Sequence, residues 1–161
     1  MGSVLIALSG GVDSALLLQI ASETLKEKVK AVTFTSPIFL RNDLMRAENL
    51  AKRLKIDHIK IKFDILSHSD FCKNDKMRCH VCKTKMIEEL KKEAKKQGIS
   101  YIADGSNIDD MKDYRPGLDV AQKSGIKSPL LEAGLGKKDI RQEAQERKIE
   151  IWNTPVASLA R

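Results

Sequence analysis

The sequence predicts an α/β fold, a doubly wound and mostly parallel five-stranded sheet with helices on both faces. Short apolar or β-branched runs alternate with helix-like segments from one end of the chain to the other. A glycine turn joins the first apolar run directly to the first helical segment, as in βα units. No internal repeat or low-complexity segment interrupts this alternation. The 161 residues suit a single domain covering residues 1–161.

The predicted strands are short and rich in apolar or β-branched residues. The first is a buried run that ends at the glycine turn, and the third alternates Ile59, Ile61 and Phe63, which indicates one buried face. The last strand is predicted to be short. The five strands are predicted at residues 3–8, 29–35, 58–63, 99–103 and 127–131.

The predicted helices follow the strands in turn. Leu17, Leu18 and Ala21 recur at helical spacing, and Gly98 ends a basic helix. Pro116 suits the first turn of another helix that Gly125 ends. A polar loop at residues 64–77 interrupts the alternation. The other helices are predicted at residues 14–28, 42–55, 83–97 and 137–148.

Composition limits the class of protein. Hydrophobic residues make up 42% and charged residues 32%, which is typical of a globular domain. No apolar run approaches the ~18 residues that span a bilayer, and no signal peptide is recognisable. We therefore expect a cytoplasmic protein without a membrane partner. The net charge of +7 favours anionic partners such as nucleotides or RNA, although a lysine-rich solvated surface explains it equally well.

The turn after the first strand has the composition of an anion-binding loop. Two glycines allow a tight turn whose N–H groups approach an anion, and the following helix adds a partial positive charge. A lone carboxylate would repel phosphate, so Asp13 is interpreted as a ligand of phosphate-bound Mg²⁺. The loop lacks the lysine of a Walker motif. Its residues are Ser9, Gly10, Gly11, Val12, Asp13 and Ser14.

These six residues resemble the SGGxDS loop of the PP-loop (ATP pyrophosphatase) superfamily. The resemblance implies an adenine nucleotide alpha hydrolase-like fold that binds ATP and Mg²⁺, with Asp13 in a catalytic role. Such enzymes split ATP between the α and β phosphates, so that a substrate oxygen becomes adenylylated and pyrophosphate leaves. The resemblance also implies that backbone groups at the end of the second strand, including those of Thr35 and Ser36, contact the adenine.

Further motifs resemble the LarE-type sulfur transferase family, in order, along essentially the whole chain. In that family ATP adenylylates a carboxylate of a pyridinium mononucleotide, and sulfur then displaces AMP. At the end of a predicted strand, Asp104, Gly105 and Asn107 suit contacts with ATP, although a simple turn explains them too. Arg78 and Arg115 offer cations to the substrate, with a structural ion pair as the alternative for Arg115. The motifs are Arg78-Cys79-His80-Val81-Cys82-Lys83, Asp104-Gly105-Ser106-Asn107, Asp113-Tyr114-Arg115-Pro116-Gly117, Ser128-Pro129-Leu130 and Trp152-Asn153-Thr154-Pro155.

The end of the chain departs from the family pattern in two respects. Many members carry a sacrificial cysteine after the tryptophan-proline block, where this sequence has Ser158. A serine oxygen does not donate sulfur, so a sacrificial route is not expected here. Typical members also continue into a second domain, and the sequence is therefore expected to represent a short form of the family.

Three cysteines, Cys72, Cys79 and Cys82, lie close together in the sequence, and Cys79 with Cys82 forms a C-x-x-C pair. One hypothesis is a [4Fe–4S] cluster with an open iron that holds hydrosulfide, which assigns Cys79 and Cys82 to catalysis. Zinc bound by these cysteines and His68 is the rival hypothesis. A redox pair and small buried cysteines are the remaining alternatives.

The sequence thus predicts an ATP-dependent enzyme that adenylylates an acceptor and replaces AMP with sulfur. The implied partners are a small-molecule nucleotide acceptor and a sulfur donor protein or sulfide, and the oligomeric state is left open between monomer and homo-oligomer. Three alternatives remain: a tRNA-thiolating enzyme, an amidating ligase that uses ammonia, and a nucleotide-binding module without catalysis. Aromatic residues make up only 4%, which gives little support to a base-stacking RNA platform.

Overall fold

A computed structural model describes residues 2–64, 66–67, 78–112 and 116–150, with only the backbone described for Cys79 and for residues 116–118. Within this part of the chain, four parallel strands form one sheet in the order β3-β2-β1-β4. The strands are β1 (Val4–Ala7), β2 (Val29–Thr35), β3 (Asp57–Lys62) and β4 (Tyr101–Ala103).

Helices connect the strands in the crossover manner that parallel pairing requires. A 3₁₀ turn at Lys26–Lys28 follows the first helix. The described helices are α1 (Val12–Leu25), α2 (Arg41–Arg53), α3 (Arg78–Lys96), α4 (Ile108–Lys112), α5 (Pro116–Lys123), α6 (Pro129–Glu132) and α7 (Lys137–Glu146). No helix in the described ranges combines the length and apolar character that crossing a bilayer requires.

Each face of the sheet has its own apolar core. Alternation along β1 sends Val4 and Ile6 into a core with α1, α2 and α7, and sends Leu5 into a second core with α3 and α5. Ile140 of α7 and Ile87 of α3 are buried representatives of the two cores. The predicted doubly wound class is confirmed, since both faces are covered by helices.

The predicted fifth strand is reduced to a single bridge. Lys127 pairs in parallel with Ala103, and the Lys127 N–H donates to the Ile102 carbonyl at 2.9 Å. Pro129 then occupies the first turn of α6, where its fixed φ favours a helix over an extended strand. The two shortest helices, α4 and α6, were not predicted, because 5 and 4 residues are too few to show helical periodicity.

The basic helix begins earlier than predicted. It starts at Arg78 rather than Lys83, because residues 78–82 contain neither proline nor glycine. The C-x-x-C pair therefore lies within the first turns of α3.

The packing of α7 on α1 yields a stability prediction. Ile140 is fully buried in the first core, so Ile140→Ala should leave a cavity and lower the free energy of unfolding by about 2–5 kcal/mol. Met45 of α2 is 51% exposed, and Met45→Ala should change it by less than about 0.5 kcal/mol. Urea titration of both variants measures these differences, and equal effects would contradict the packing described.

Candidate nucleotide-binding site

The loop between β1 and α1 lies at the carboxyl end of the central strand. Gly10 has a φ of 83°, and Gly11 is the extended N-cap of α1. No side chain caps this helix, and its first intrahelical bond runs from the Ala15 N–H to the Gly11 carbonyl. The helix therefore makes no use of the N–H groups that precede Ala15, which is the arrangement that binds anions.

Hydroxyl groups hold the loop in shape. Ser14 is buried, and its Oγ accepts a hydrogen bond from the Ser9 N–H at 3.1 Å. The two hydroxyl oxygens lie 3.0 Å apart, and the Gly11 N–H donates to Ser9 Oγ at 3.3 Å. Val12 is also buried and anchors α1 in the core, whereas Asp13 is half-buried at the start of the helix.

The loop that follows β4 packs directly onto the loop between β1 and α1. A Cβ atom on Gly105 would lie 2.8 Å from the Ser14 backbone nitrogen and 3.0 Å from its Cα. Only glycine fits such a close backbone approach without displacing the start of α1. The first and the fourth strand thus bring their loops into one site, as expected for neighbouring parallel strands.

Asp104 is a buried carboxylate whose two oxygens accept hydrogen bonds from three segments. Oδ2 accepts from Lys83 Nζ of α3 at 3.2 Å, and Oδ1 accepts from Ser128 Oγ at 2.8 Å and from the Ser106 N–H at 3.2 Å. Burial opposes its ionisation, but the Lys83 ammonium, the Ser128 hydroxyl and the Ser106 donor outweigh that cost and hold the pKa of Asp104 below its usual value.

Asn107 carries a buried amide nitrogen that has no hydrogen-bond partner among the described residues. The side chain is fully buried, and its Oδ1 accepts from the Asp109 N–H at 3.0 Å. Asp110 Oδ2 accepts the Asn107 N–H at 3.0 Å, and Asp109 Oδ2 accepts the Lys137 N–H at 2.7 Å. The turn is therefore rigid, with one strong donor left to bond a ligand.

The end of β2 also carries a buried hydroxyl group. Thr35 Oγ1 donates to the Ile61 carbonyl of β3 at 3.4 Å, so its hydroxyl is directed to the neighbouring strand. Ser36 Oγ is buried and has no hydrogen-bond partner within the described part of the chain. Of the two predicted adenine contacts, Ser36 therefore offers the available hydroxyl.

The predicted cysteine site is only partly described. Cys82 is buried in the second core, with its thiol 3.9 Å from Met86 Sδ, whereas Cys72 and the side chain of Cys79 lie outside the described residues. His68, Arg115 and Ser158 also lie outside them. Among the described side chains, no three of His, Cys, Asp and Glu are arranged to hold a metal ion.

Two residues contact the site although the sequence did not predict a role for them. Ser128 belonged to a recognised motif, but only the fold shows that it contacts Asp104. Arg46 gave no signal, because it lies in a polar segment of α2 that is typical of a solvated face, yet it donates to the Gly10 carbonyl at 3.2 Å. Such a contact joins residues 36 positions apart and is not visible in local sequence.

Comparison with known proteins identifies a family model and relatives that resemble this chain. The asparagine synthase family model matches residues 2–71. Over 151 residues the chain is 33% identical to the pyridinium-3,5-bisthiocarboxylic acid mononucleotide synthase of Lactiplantibacillus plantarum, covering 93% of this chain and 55% of that protein. The chain thus spans about half the length of this curated relative.

Solved structures show the same fold. The NMN synthetase of Francisella tularensis superposes with a TM-score of 0.78 at 18% identity, covering 98% of this chain and 67% of that one. The U34-tRNA thiolase NcsA of Methanococcus maripaludis, solved with its [4Fe-4S] cluster, gives 0.71 at 17% identity, covering 96% and 60%.

A parallel sheet with a glycine-serine loop before its first helix, contacted by the loop of the neighbouring strand, is the arrangement expected of a PP-loop nucleotide-binding domain. The chain is similar to this superfamily in its loop motif and in its fold. Its resemblance to the LarE-type family is confirmed by the synthase of L. plantarum.

The ionised state of Asp104 yields a pH-dependent prediction. Its folded pKa lies below the ordinary value of 3.8, so its stabilising contribution is present above pH 3.8 and disappears as the pH falls through the folded pKa. Asp104→Asn should lower the free energy of unfolding at pH 7 by about 1–3 kcal/mol, because charged hydrogen bonds are lost.

The difference between Asp104→Asn and the unsubstituted protein should shrink below pH 3.8, and urea titration across pH 3–7 measures it. Asp119 lies exposed on α5, and Asp119→Asn is the matched control that should change little. A difference that stays constant down to pH 3 would contradict the ion pair with Lys83.

Proposed function

We propose that the chain is the ATP-binding part of a sulfur transferase that adenylylates an acceptor, releases pyrophosphate and replaces AMP with sulfur. The observation that carries the proposal is the joining of three motifs at one site. Gly105 contacts the start of α1, and its neighbour Asp104 pairs with Lys83, which directly follows Cys82. The loop of residues 9–14, the loop that follows β4 and the helix α3 that carries Cys82 thus meet at one site.

The loop from Ser9 to Ser14 holds the β and γ phosphates of ATP in this proposal. The α1 N–H groups and the exposed Ser9 hydroxyl supply donors, and Gly10 and Gly11 let the backbone approach. Asp13 contributes a carboxylate to Mg²⁺, which neutralises the phosphates and assists the departure of pyrophosphate.

The nucleoside part of ATP lies between the ends of β2 and β4. Ser36 donates its otherwise unused hydroxyl to the adenosine, with Thr35 contributing backbone groups. Asn107 Nδ2 donates to a ribose or α-phosphate oxygen, which satisfies the buried amide nitrogen. Asp104 and Gly105 act without contacting ATP. The Asp104 carboxylate holds the loop that follows β4 in place, and Gly105 lets this loop approach α1.

The acceptor of AMP is a carboxylate on a small nucleotide, as the name of the L. plantarum relative suggests. A carboxylate oxygen attacks the α-phosphorus, the bond to the bridging oxygen breaks, and pyrophosphate leaves with the electron pair. Hydrosulfide then attacks the activated carbonyl, and AMP leaves with its oxygen. Arg78 and Arg115 are assigned to the acceptor because a guanidinium binds carboxylate or phosphate in a bidentate manner.

Cys72, Cys79 and Cys82 are proposed to supply the sulfur source. In the favoured form they hold a [4Fe–4S] cluster, which provides a site for hydrosulfide. The buried position of Cys82 suits a group that must be shielded from water, and zinc is the rival occupant.

A second candidate is thiolation of tRNA. It is favoured by the net charge of +7 and by the fold shared with a U34-tRNA thiolase that contains a [4Fe-4S] cluster. Incubation with ATP, sulfide and either tRNA or a pyridinium dicarboxylate mononucleotide separates the two, with mass spectrometry of the product as the readout. A thiocarboxylate supports the first proposal, and thiolated tRNA formed in a salt-sensitive manner supports the second.

The assignment of Asp13 to Mg²⁺ predicts a change in nucleotide affinity. Asp13→Asn should weaken MgATP binding by about tenfold or more in isothermal titration, because one ionic ligand of the metal is lost. Binding of AMP without Mg²⁺ should not change. Asp119→Asn serves as the control with the same loss of charge at an exposed position. Unaltered MgATP affinity in Asp13→Asn would remove Asp13 from the metal site.

The cysteine proposal predicts the metal content of the purified protein. Anaerobic purification should give about four irons and matching sulfide per chain, and Cys79→Ala should lose both while still binding MgATP. About one zinc without iron would make the site structural and leave sulfur to be delivered by another protein. A cysteine-free variant that still transfers sulfur would contradict a role of the cysteines as its source.

A further inference from the structure

The first turn of α2 presses on the phosphate loop at Gly10. A Cβ atom at this position would lie 2.0 Å from the Asp43 carbonyl oxygen and 2.8 Å from the Asp43 Cα. Gly10 is buried and has a positive φ, so both the space and the backbone conformation require glycine. The loop is therefore held from outside by α2 as well as by its own hydroxyls.

Arg46, one turn further along α2, bonds both partners of this contact. Its Nε donates to the Gly10 carbonyl at 3.2 Å, and its Nη2 donates to Asp43 Oδ1 in an i, i+3 ion pair. The guanidinium is planar, so the bond to Asp43 also fixes the direction in which Nε points. Both side chains are less than a third exposed, at 28% and 22%.

The direction of the Gly10 carbonyl sets the direction of the next N–H group. Gly10 C=O and Gly11 N–H belong to one trans peptide, so they point to opposite sides of it. With the carbonyl held by Arg46, the Gly11 N–H points away from Arg46 and donates to Ser9 Oγ in a long contact of 3.3 Å. An anion oxygen would replace that weak bond with a stronger one.

We infer that Arg46 is a positioning residue of the phosphate loop, which, with Asp43, holds the Gly10–Gly11 peptide in the orientation that receives the β and γ phosphates of ATP. The inference rests on the proposed function, since it assigns the loop to those phosphates. The charges of Arg46 and Asp43 cancel, so the pair adds no net positive charge to attract phosphate. It contributes to phosphate binding by orienting the Gly10–Gly11 peptide.

Replacement of the pair tests this role. Arg46→Met keeps the length of the side chain but removes the donors, and Arg46→Met combined with Asp43→Asn also restores the net charge of the site. Both variants should bind magnesium pyrophosphate and MgATP about tenfold more weakly in isothermal titration, as expected for a lost charged hydrogen bond. The affinity for AMP should not change, because AMP lacks the β and γ phosphates.

Arg53 lies exposed at the end of α2, and Arg53→Met is the matched control for the loss of one positive charge. Thermal unfolding of each variant verifies that the fold is kept. Arg46→Lys should recover part of the affinity, since an ammonium donates to one carbonyl but does not bridge to Asp43 in the same plane.

The outcomes separate this inference from the proposed function. Unsubstituted protein that binds no MgATP overturns the proposed function and with it the role of the loop. If the unsubstituted protein binds MgATP but Arg46→Met binds it equally well, the positioning role alone is overturned. Recovery of full affinity in the double variant would show a simple charge effect and also overturn it.

Discussion

The site depends on a buried carboxylate that remains ionised. Asp104 has an exposed side-chain fraction of only 7%, and removal of a charge from water costs several kcal/mol unless it is compensated. Lys83, Ser106 and Ser128 provide that compensation from three separate segments. Each segment is therefore fixed relative to the others, because movement of any one leaves a buried charge with too few donors.

This constraint determines where the phosphate loop lies. With Asp104 fixed, the following Gly105 is pressed against the Ser14 backbone, and α2 is pressed against Gly10. The loop is thus held between two backbones, by α2 at Gly10 and by Gly105 at Ser14. Glycine at Gly10 and Gly105 gives close packing here, and the resulting rigidity prepares N–H donors for an anion before it arrives.

Much of this arrangement could be predicted from the sequence because it is local. The loop between β1 and α1 is a contiguous motif, and its placement after a buried strand already indicates an anion site. The alternation of strands and helices likewise predicted the doubly wound sheet, since crossover connections follow the chain order. The strand at residues 127–131 was overestimated, because a proline at a helix start outweighs apolar composition.

The contacts between motifs could not be predicted, because they join residues far apart in the chain. Ser128 reaches Asp104 across 24 positions, and Arg46 reaches Gly10 across 36. In the sequence, Ser128 looks like an ordinary helix N-cap, and Arg46 looks like a solvent-exposed arginine. The start of α3 was also predicted too late, at Lys83 instead of Arg78, although residues 78–82 are compatible with a helix.

The distribution of charge bears on the choice between the two acceptors. Along α3 two of the lysines pair with glutamates, Lys85 with Glu88 and Lys92 with Glu89. Such exposed pairs contribute little stability, but they interrupt the run of positive charge that a nucleic-acid backbone would contact. Lys83, by contrast, is directed inward to Asp104. These ion pairs and the inward direction of Lys83 therefore lower the positive charge that α3 presents to a nucleic acid, without removing it.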